Sequence, residues 1–130
     1  MNSIFENFYI GDLLLDKELK EILSTKSSLN AVILFEKKLA EVQGKLGIIP
    51  LKNSQSIKRS LEVNILKKIK MKKVSTCDGV IIPYLLKEIK SKCLNSEDAQ
   101  YLHYGVTSQD AIDTARNLSL IHISEPTRPY

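Results

Sequence analysis

The chain has little of several residue types, and each shortage excludes a class of protein. Its 130 residues include two cysteines, four prolines, five glycines and no tryptophan, and aromatic residues make up only 6%. Cys77 and Cys93 lie sixteen positions apart, without a companion histidine or cysteine cluster at metal-ligand spacing. The sequence therefore predicts two free thiols and no bound metal.

Long apolar runs are also missing. No run approaches the roughly 20 residues that a helix needs to span a bilayer. The N-terminus carries Glu6 and Asp12 but no basic region ahead of its apolar residues, which is unlike a secretory signal. Glycine-rich phosphate loops, internal repeats and low-complexity linkers do not occur either. We expect a cytoplasmic protein that does not enter a membrane.

The charge balance is mildly basic. Lys plus Arg number 19 against 15 Asp plus Glu, which gives a net charge of +4 and a pI near 9.0. Such a chain can favour anionic ligands or nucleic acid, but zinc-finger spacing and an aromatic ladder for bases are absent. The hydrophobic content of 43% is enough for one modest core, in one domain or a piece of a larger one.

Apolar residues recur at steps of three and four through most of the chain, which predicts an all-α fold. A short helix is expected after Asp16, and a strong amphipathic helix from Ser28 to Leu46 with Gly47 as its C-terminal cap. A third is expected from about Ser54 to Lys70, and a fourth with Pro83 in its first position. The predicted apolar faces are Leu19, Ile22 and Leu23; Val32, Phe35, Leu39, Val42 and Leu46; Ile57, Leu61, Ile65 and Ile69; and Leu86, Ile89 and Cys93.

A lysine run from Lys67 to Lys73 follows the third predicted helix. Lysines in a run can meet phosphates, so a small basic helical module that binds nucleic acid is one alternative for the chain. Isoleucine is interleaved with these lysines at helical spacing, which is more typical of a solvated helix face. We therefore expect no nucleic-acid partner.

The segment from Tyr101 to Ala115 combines polar groups and a glycine with the start of a helix. Thr107 and Asp110 stand three apart, the spacing at which a cap hydroxyl and a carboxylate satisfy the first free amides of a helix reciprocally. Gly105 allows a backbone or ligand to approach closely, and His103 offers a donor or a proton. The pattern fits either an ordinary helix start or half of an anion site.

This segment resembles the first signature region of the fumarase/aspartase superfamily. The Thr-Ser-Gln-Asp-x-x-Asp-Thr form that begins at Thr107 is most similar to the superfamily's 3-carboxy-cis,cis-muconate cycloisomerase branch. Residues 34–40, 46–50 and 78–86 add to the resemblance. It implies an N-terminal helical domain over residues 1–105, then a signature loop and the start of a central-bundle helix over residues 106–117.

The resemblance also implies a function. Members of this branch close a lactone on a polycarboxylate of protocatechuate catabolism, as homotetramers and without metal or organic cofactor. By this resemblance Thr107, Ser108 and Gln109 bind substrate carboxylates, and His103 is a donor or supporting acid. Gly105, Asp110 and Asp113 cap and orient the loop. The superfamily's second signature histidine and its mobile serine loop are missing, so the chain alone is expected to be inactive.

Two alternatives stay open beside the nucleic-acid module. Adenylosuccinate lyases of purine synthesis share the His-x-Gly-x-Thr-Ser pattern, although they more usually have a small residue or serine where Gln109 stands. The chain could also be a non-catalytic assembly fragment with an exposed apolar seam. Assay of a complete product with both substrates would separate the two enzymes.

Residues 118–130 do not continue the preceding pattern, and Pro126 and Pro129 would break a helix. Leu118 to Arg128 resembles, codon by codon, the translation of a sequencing-library transposon adapter. We expect this tail to be non-native, which limits the usable sequence to Met1 through about Asn117 and removes His122 from the candidate residues.

Overall fold

The computed structural model describes Glu21, Ile22, residues 24–61, Ile65 and residues 81–124, with backbone alone at residues 25, 81 and 122–124. Its elements are α1 (Thr25–Lys45), α2 (Leu51–Ser60), α3 (Ile81–Lys92), α4 (Ser96–Ala99) and α5 (Ser108–Ser124). No strand occurs in these ranges, so the predicted all-α class is confirmed. None of the helices described there is long and apolar enough to cross a membrane.

The ends of α1 follow from local sequence. Ser24 precedes the helix, and its side-chain oxygen accepts a hydrogen bond from the Ser27 amide at 3.2 Å. At the other end Gly47 adopts a left-handed φ of 72° and donates to the Gly44 carbonyl, while the next amide reaches back to the Gln43 carbonyl. This paired arrangement is a Schellman motif, and it confirms the predicted glycine cap.

The buried face of α1 differs from the predicted one. Val42 and Leu46 are 51% and 69% exposed, so this part of the predicted apolar stripe is wrong. The prediction assigned only apolar residues to this face, whereas the buried face also contains Glu36 and Gln43, which bond to the loop before α5. That face consists of Leu29, Val32, Ile33, Glu36, Ala40, Gln43 and Gly44.

Helix α2 begins three residues earlier than predicted, at Leu51 rather than Ser54, with Pro50 as the preceding cap residue. The fixed φ of proline suits that boundary, so the turn after α1 leads directly into a new helix. Ile57, Leu61 and Ile65 are buried as expected, at 0%, 5% and 4% exposure. The predicted continuation to Lys70, with the lysine run at residues 67–73 and the turn at residues 76–80, lies outside the described residues.

The described part of α3 starts at Ile81, so Pro83 stands third in the helix rather than first as predicted. Its missing amide proton is tolerated because amides of the first turn have no intrahelical partner. Leu86 and Ile89 are buried as predicted, and Cys93 is a half-buried free thiol. Glu21 and Ile22 are helical, in agreement with the short helix expected after Asp16; the rest of that helix lies outside the described residues.

Packing brings the helix starts and loops onto α1. Helix α1 contacts α2 and α5, while the short α4 contacts α2 and α3, and α3 also contacts α5. At the α1–α2 contact a Cβ added to Gly44 would lie 2.3 Å from the Ser54 hydroxyl oxygen, so only glycine fits. The shared apolar core contains residues of all the described helices except α4, together with Leu102 from the loop before α5.

Helix α5 passes through the predicted boundary at residue 118 without interruption. Ala111, Ala115 and Ser119 form one buried stripe of small residues, and the Ser119 hydroxyl donates to the Ala115 carbonyl at 3.1 Å. Residues 118–124 continue the same helix as the residues before them. A foreign origin of the tail stays a prediction, and residues 125–130 lie outside the described ranges.

Candidate functional site

The start of α5 is capped as the spacing of its residues predicts. The Thr107 amide donates to Asp110 Oδ2 at 2.7 Å, and the Thr107 hydroxyl donates to the same oxygen at 2.9 Å. In return the Asp110 amide reaches Thr107 Oγ1 at 3.4 Å. These bonds hold the pKa of the Asp110 carboxyl below its ordinary value, the backbone bond from Thr107 contributing most. Asp110 is fully exposed, so solvent screens the effect.

The capping bonds decide which donors at this helix start can meet a ligand. The single proton of the Thr107 hydroxyl is already given to Asp110, and Gln109 Nε2 donates to Asp113 Oδ1 at 2.7 Å. Among the described residues the Ser108 hydroxyl has no hydrogen-bond partner, and the amides of Ser108 and Gln109 belong to the unpaired first turn. Ser108 and these two amides are thus the readiest donors for an anion.

Asp113 is hydrogen-bonded within α5 itself. Its carboxylate lies on the exposed surface of α5, where it accepts from Gln109 one turn earlier. Gly105 has a left-handed φ of 71°, and a Cβ there would meet nothing within 4 Å. Backbone conformation rather than close approach of protein atoms therefore requires glycine at this position.

His103 is anchored by a carboxylate that the sequence reading did not select. Its Nδ1 lies 2.5 Å from Glu36 Oε1, although 67 positions separate the two residues. Glu36 is 1% exposed. Burial raises the pKa of its carboxyl, while the bond to His103 and the charges of His103 and Lys90 act against that rise. The sequence did contain one indication of this role, because Glu36 is a charged residue on the core-facing side of an amphipathic helix.

A second polar residue of α1 holds the same loop. Gln43 Nε2 donates to the Tyr104 carbonyl at 2.8 Å, and the Tyr101 and Tyr104 rings lie 6.3 Å apart in a tilted arrangement. Within the described residues, Glu36 Oε2 and Gln43 Oε1 are buried without a hydrogen-bond partner. The loop before α5 is thus fixed to α1 at two points, each with one polar atom still unpaired.

The preceding helix α4 is held by a further buried cluster. Asp98 accepts from Asn53 Nδ2 at 2.8 Å and from the Ser56 hydroxyl at 2.5 Å, so it connects α4 to α2. Asn95 caps α4 by accepting the Asp98 amide at 2.7 Å. The sequence reading missed this four-residue helix because it is too short to show periodicity. The cluster fixes the chain just before the Tyr101 to Gly105 loop.

Two further findings concern residues other than those at the start of α5. An open groove of about 530 Å³ on α3 is lined by Pro83, Leu86, Lys87, Lys90 and Ser91, none of which was a predicted site residue. No group of three or more metal-ligating side chains occurs within the described ranges. The candidate site in the structure therefore consists of hydrogen-bond donors at the start of α5 and of His103, which is held by Glu36.

The chain is similar to several known proteins. No protein-family model matches the chain. Individual relatives do: adenylosuccinate lyase of Methanothermobacter thermautotrophicus is 27% identical over 103 residues, which cover 79% of this chain and 23% of the relative. The 3-carboxy-cis,cis-muconate cycloisomerase of Acinetobacter baylyi is 30% identical over 111 residues, covering 81% and 24%. Adenylosuccinate lyase of Methanocaldococcus jannaschii is 24% identical over 101 residues, covering 78% and 22%.

Both enzyme types are members of the fumarase/aspartase superfamily, whose fold is all-α, so the predicted resemblance to that superfamily is confirmed. The homologues of this chain are lyases and isomerases. The chain spans about a quarter of the length of the relatives it matches. At these identities neither enzyme type is favoured over the other.

Proposed function

We propose that the chain carries the first carboxylate-binding segment of an enzyme of the 3-carboxy-cis,cis-muconate cycloisomerase type. The observation that supports this most is the capped start of α5, where the Ser108 hydroxyl and two first-turn amides remain available. Amides and a hydroxyl at the positive end of a helix suit a carboxylate without a metal or cofactor.

Lactone closure sets two chemical demands. A carboxylate of the substrate adds across a double bond, so the enzyme must hold several carboxylates and stabilise an anionic intermediate while a proton moves. In our proposal Ser108 and the amides of Ser108 and Gln109 meet the first demand. His103 stands five residues before the first residue of α5, and in our proposal it supplies a donor or supporting acid there.

The remaining parts of the activity are proposed to lie beyond this chain. The principal acid and base, the mobile serine loop and the subunits of a homotetramer would complete the site, in a cytoplasmic enzyme. Purified Met1 to Tyr130 is therefore expected to show no lactonising activity. Turnover of carboxymuconate above background by this chain would contradict that expectation.

An adenylosuccinate lyase is the second candidate, because relatives with that name match the chain about as well as the cycloisomerase does. The deciding experiment reads the frame beyond the codon for Asn117 in independent genomic DNA and assays the expressed product with both substrates. Turnover of carboxymuconate supports the first candidate, and turnover of adenylosuccinate alone replaces it with the second. A product active on neither would overturn both.

One substitution tests the helix start itself in that product. Ser108→Ala removes a hydrogen bond to a charged group, so KM is expected to rise about tenfold or more. Ser91→Ala, which removes an exposed hydroxyl on α3, is the matched control and should leave KM unchanged. Equal KM values for the two variants would remove Ser108 from the site.

A further inference from the structure

The Glu36–His103 contact determines which nitrogen of the imidazole is accessible. Nδ1 faces Glu36 Oε1 at 2.5 Å, and the Glu36 side chain is fully buried. The His103 side chain keeps 13% exposure. Glu36 therefore occupies Nδ1, whereas Nε2 has no hydrogen-bond partner among the described residues.

The backbone of His103 is held in an uncommon conformation at the same point. Its φ is 62°, in the left-handed region that residues other than glycine rarely adopt. Such a conformation persists when the surroundings over-determine it. Here Glu36 holds the ring and Gln43 holds the adjacent Tyr104 carbonyl, so two residues of α1 fix one short loop segment.

We propose that Glu36 is a positioning residue that keeps the proton of neutral His103 on Nδ1 and leaves unprotonated Nε2, on the opposite side of the ring, free for a ligand. This deepens the proposed function and rests on it for the identity of the ligand. The orientation of a histidine ring by a buried acceptor is a recurring way to select one tautomer. It makes His103 an acceptor at Nε2 when neutral and a donor there when protonated.

The proton transfers at His103 balance without a further reactant. Nδ1 donates its proton to the Glu36 carboxylate in a hydrogen bond, and the Nε2 lone pair accepts a proton from water, which His103 can then give back as a supporting acid. The imidazolium that forms is balanced by Glu36, and return of the same proton restores the starting tautomer. Among the described residues, the charge of Lys90 also acts on Glu36, and His103 and Asp110 act on each other.

The tautomer can be read directly in the chain of 130 residues, which contains only His103 and His122. Two-dimensional NMR of protein labelled with ¹⁵N-histidine, at mildly alkaline pH, distinguishes protonated from unprotonated ring nitrogens. A His122→Gln sample assigns the His103 signals. We expect His103 to carry its proton mainly on Nδ1, the reverse of the preference of free histidine. A His103 ring protonated mainly on Nε2 would overturn the proposal.

Variants of Glu36 test the cause. Glu36→Gln keeps an oxygen acceptor and should retain the Nδ1 proton, whereas Glu36→Leu removes the acceptor and should lose that tautomer majority. Glu41→Gln changes a half-buried glutamate of the same helix that pairs with Lys38 and Lys45, and it should leave the His103 spectrum unchanged. An unchanged tautomer in folded Glu36→Leu would refute the positioning role. If Glu36→Leu fails to fold, the wild-type and Glu36→Gln spectra decide.

These spectra do not depend on activity. Failure of the tautomer prediction therefore leaves the assay of both substrates intact as a test of the proposed function. Conversely, a complete product that turns over neither substrate would refute the proposed function while the Glu36 spectra still report whether the ring is positioned.

Discussion

Gln43 and Tyr104 are 61 positions apart, yet the side-chain amide of the first donates to the backbone carbonyl of the second at 2.8 Å. Glu36 lies on the same face of α1, two turns before Gln43, and contacts the His103 ring. The polar side chains buried on α1 are therefore the supports of the loop before α5. The buried face of α1 therefore packs in the core and also positions the candidate histidine, His103.

Replacement of Gln43 by methionine tests the first of these supports. The substitution keeps the volume but removes the hydrogen bond to Tyr104, so the free energy of unfolding should fall by about 1 kcal/mol. The loss is modest because Tyr104 is exposed and water can reach it. Urea denaturation gives the value, with exposed Leu46→Met as control. Equal stability of the two variants would show that the bond contributes nothing.

Gly44→Ala is expected to destabilise the contact between α1 and α2. Alanine would favour the helix by about 1 kcal/mol in isolation. Its Cβ, however, would lie 2.3 Å from the hydroxyl oxygen and 2.4 Å from the Cβ of Ser54, so one of the helices must shift. We expect a net loss of about 2 kcal/mol in the free energy of unfolding, measured by denaturant titration.

A double-mutant cycle isolates the cause of that loss. Ser54→Gly removes the two atoms that would clash with a Cβ at Gly44, together with the Ser54 hydrogen bond to the Ala40 carbonyl. In that background Gly44→Ala should be neutral or stabilising. The same penalty in both backgrounds would mean that the steric contact is not its source.

Asp110→Asn tests the cap of α5 through its pH dependence. The folded-state pKa of Asp110 is lowered below the ordinary 3.8, so its ionised form stabilises the fold above the unfolded-state pKa. This contribution is lost as pH falls through the folded-state pKa. The difference in Tm between wild type and variant should be present at neutral pH and shrink in acid, as read by circular dichroism.

Asp113→Asn is the matched control for that series. Asp113 is exposed on the same helix and accepts only from the Gln109 side chain, so it supports no first-turn amide. Its Tm difference from wild type should be smaller at neutral pH than that of Asp110→Asn. A Tm difference for Asp110→Asn that stays constant from neutral pH into acid would contradict the assigned role of the carboxylate.

The turn between α1 and α2 exposes apolar side chains that should promote self-association of the chain. Leu46, Ile48 and Leu51 are 69%, 54% and 55% exposed around Gly47. Lysine at positions 46 and 48 should lower the associated fraction in light scattering with little change in Tm, because no core contact is lost. Ile49→Lys, at a site only 1% exposed, should instead unfold the protein. Undiminished association of the double lysine variant would argue against this surface.

Sequence periodicity found the long helices but not every face of them. It placed α1 within three residues of its observed start and one of its observed end, and it identified Ile57, Leu61, Leu86 and Ile89 as core, because apolar spacing reports burial wherever the core is apolar. It failed at Val42 and Leu46, since the buried side of α1 includes Glu36 and Gln43, whose partners are remote in sequence. No local window contains the information that those two polar residues are paired.

In the candidate site, too, local contacts were predictable from the sequence and contacts between remote residues were not. The reciprocal bonds of Thr107 and Asp110 depend on a three-residue spacing, so they were predictable. The Glu36 contact joins residues 67 positions apart and becomes visible only after the helices have packed. Substrate roles of Thr107, Ser108 and Gln109 stay predictions that the proposed assays address.

The left-handed backbone of His103 restricts which replacements are informative at that position. Histidine, asparagine and aspartate enter this region more readily than other residues with side chains, and β-branched residues are genuine outliers there. Alanine or valine at position 103 would therefore change the path of the chain as well as the imidazole. Asparagine removes the ring while tolerating the fold, so it is the replacement that separates chemistry from conformation. When different residues are tried at position 103, the left-handed backbone decides which of them are tolerated, independently of any effect on catalysis.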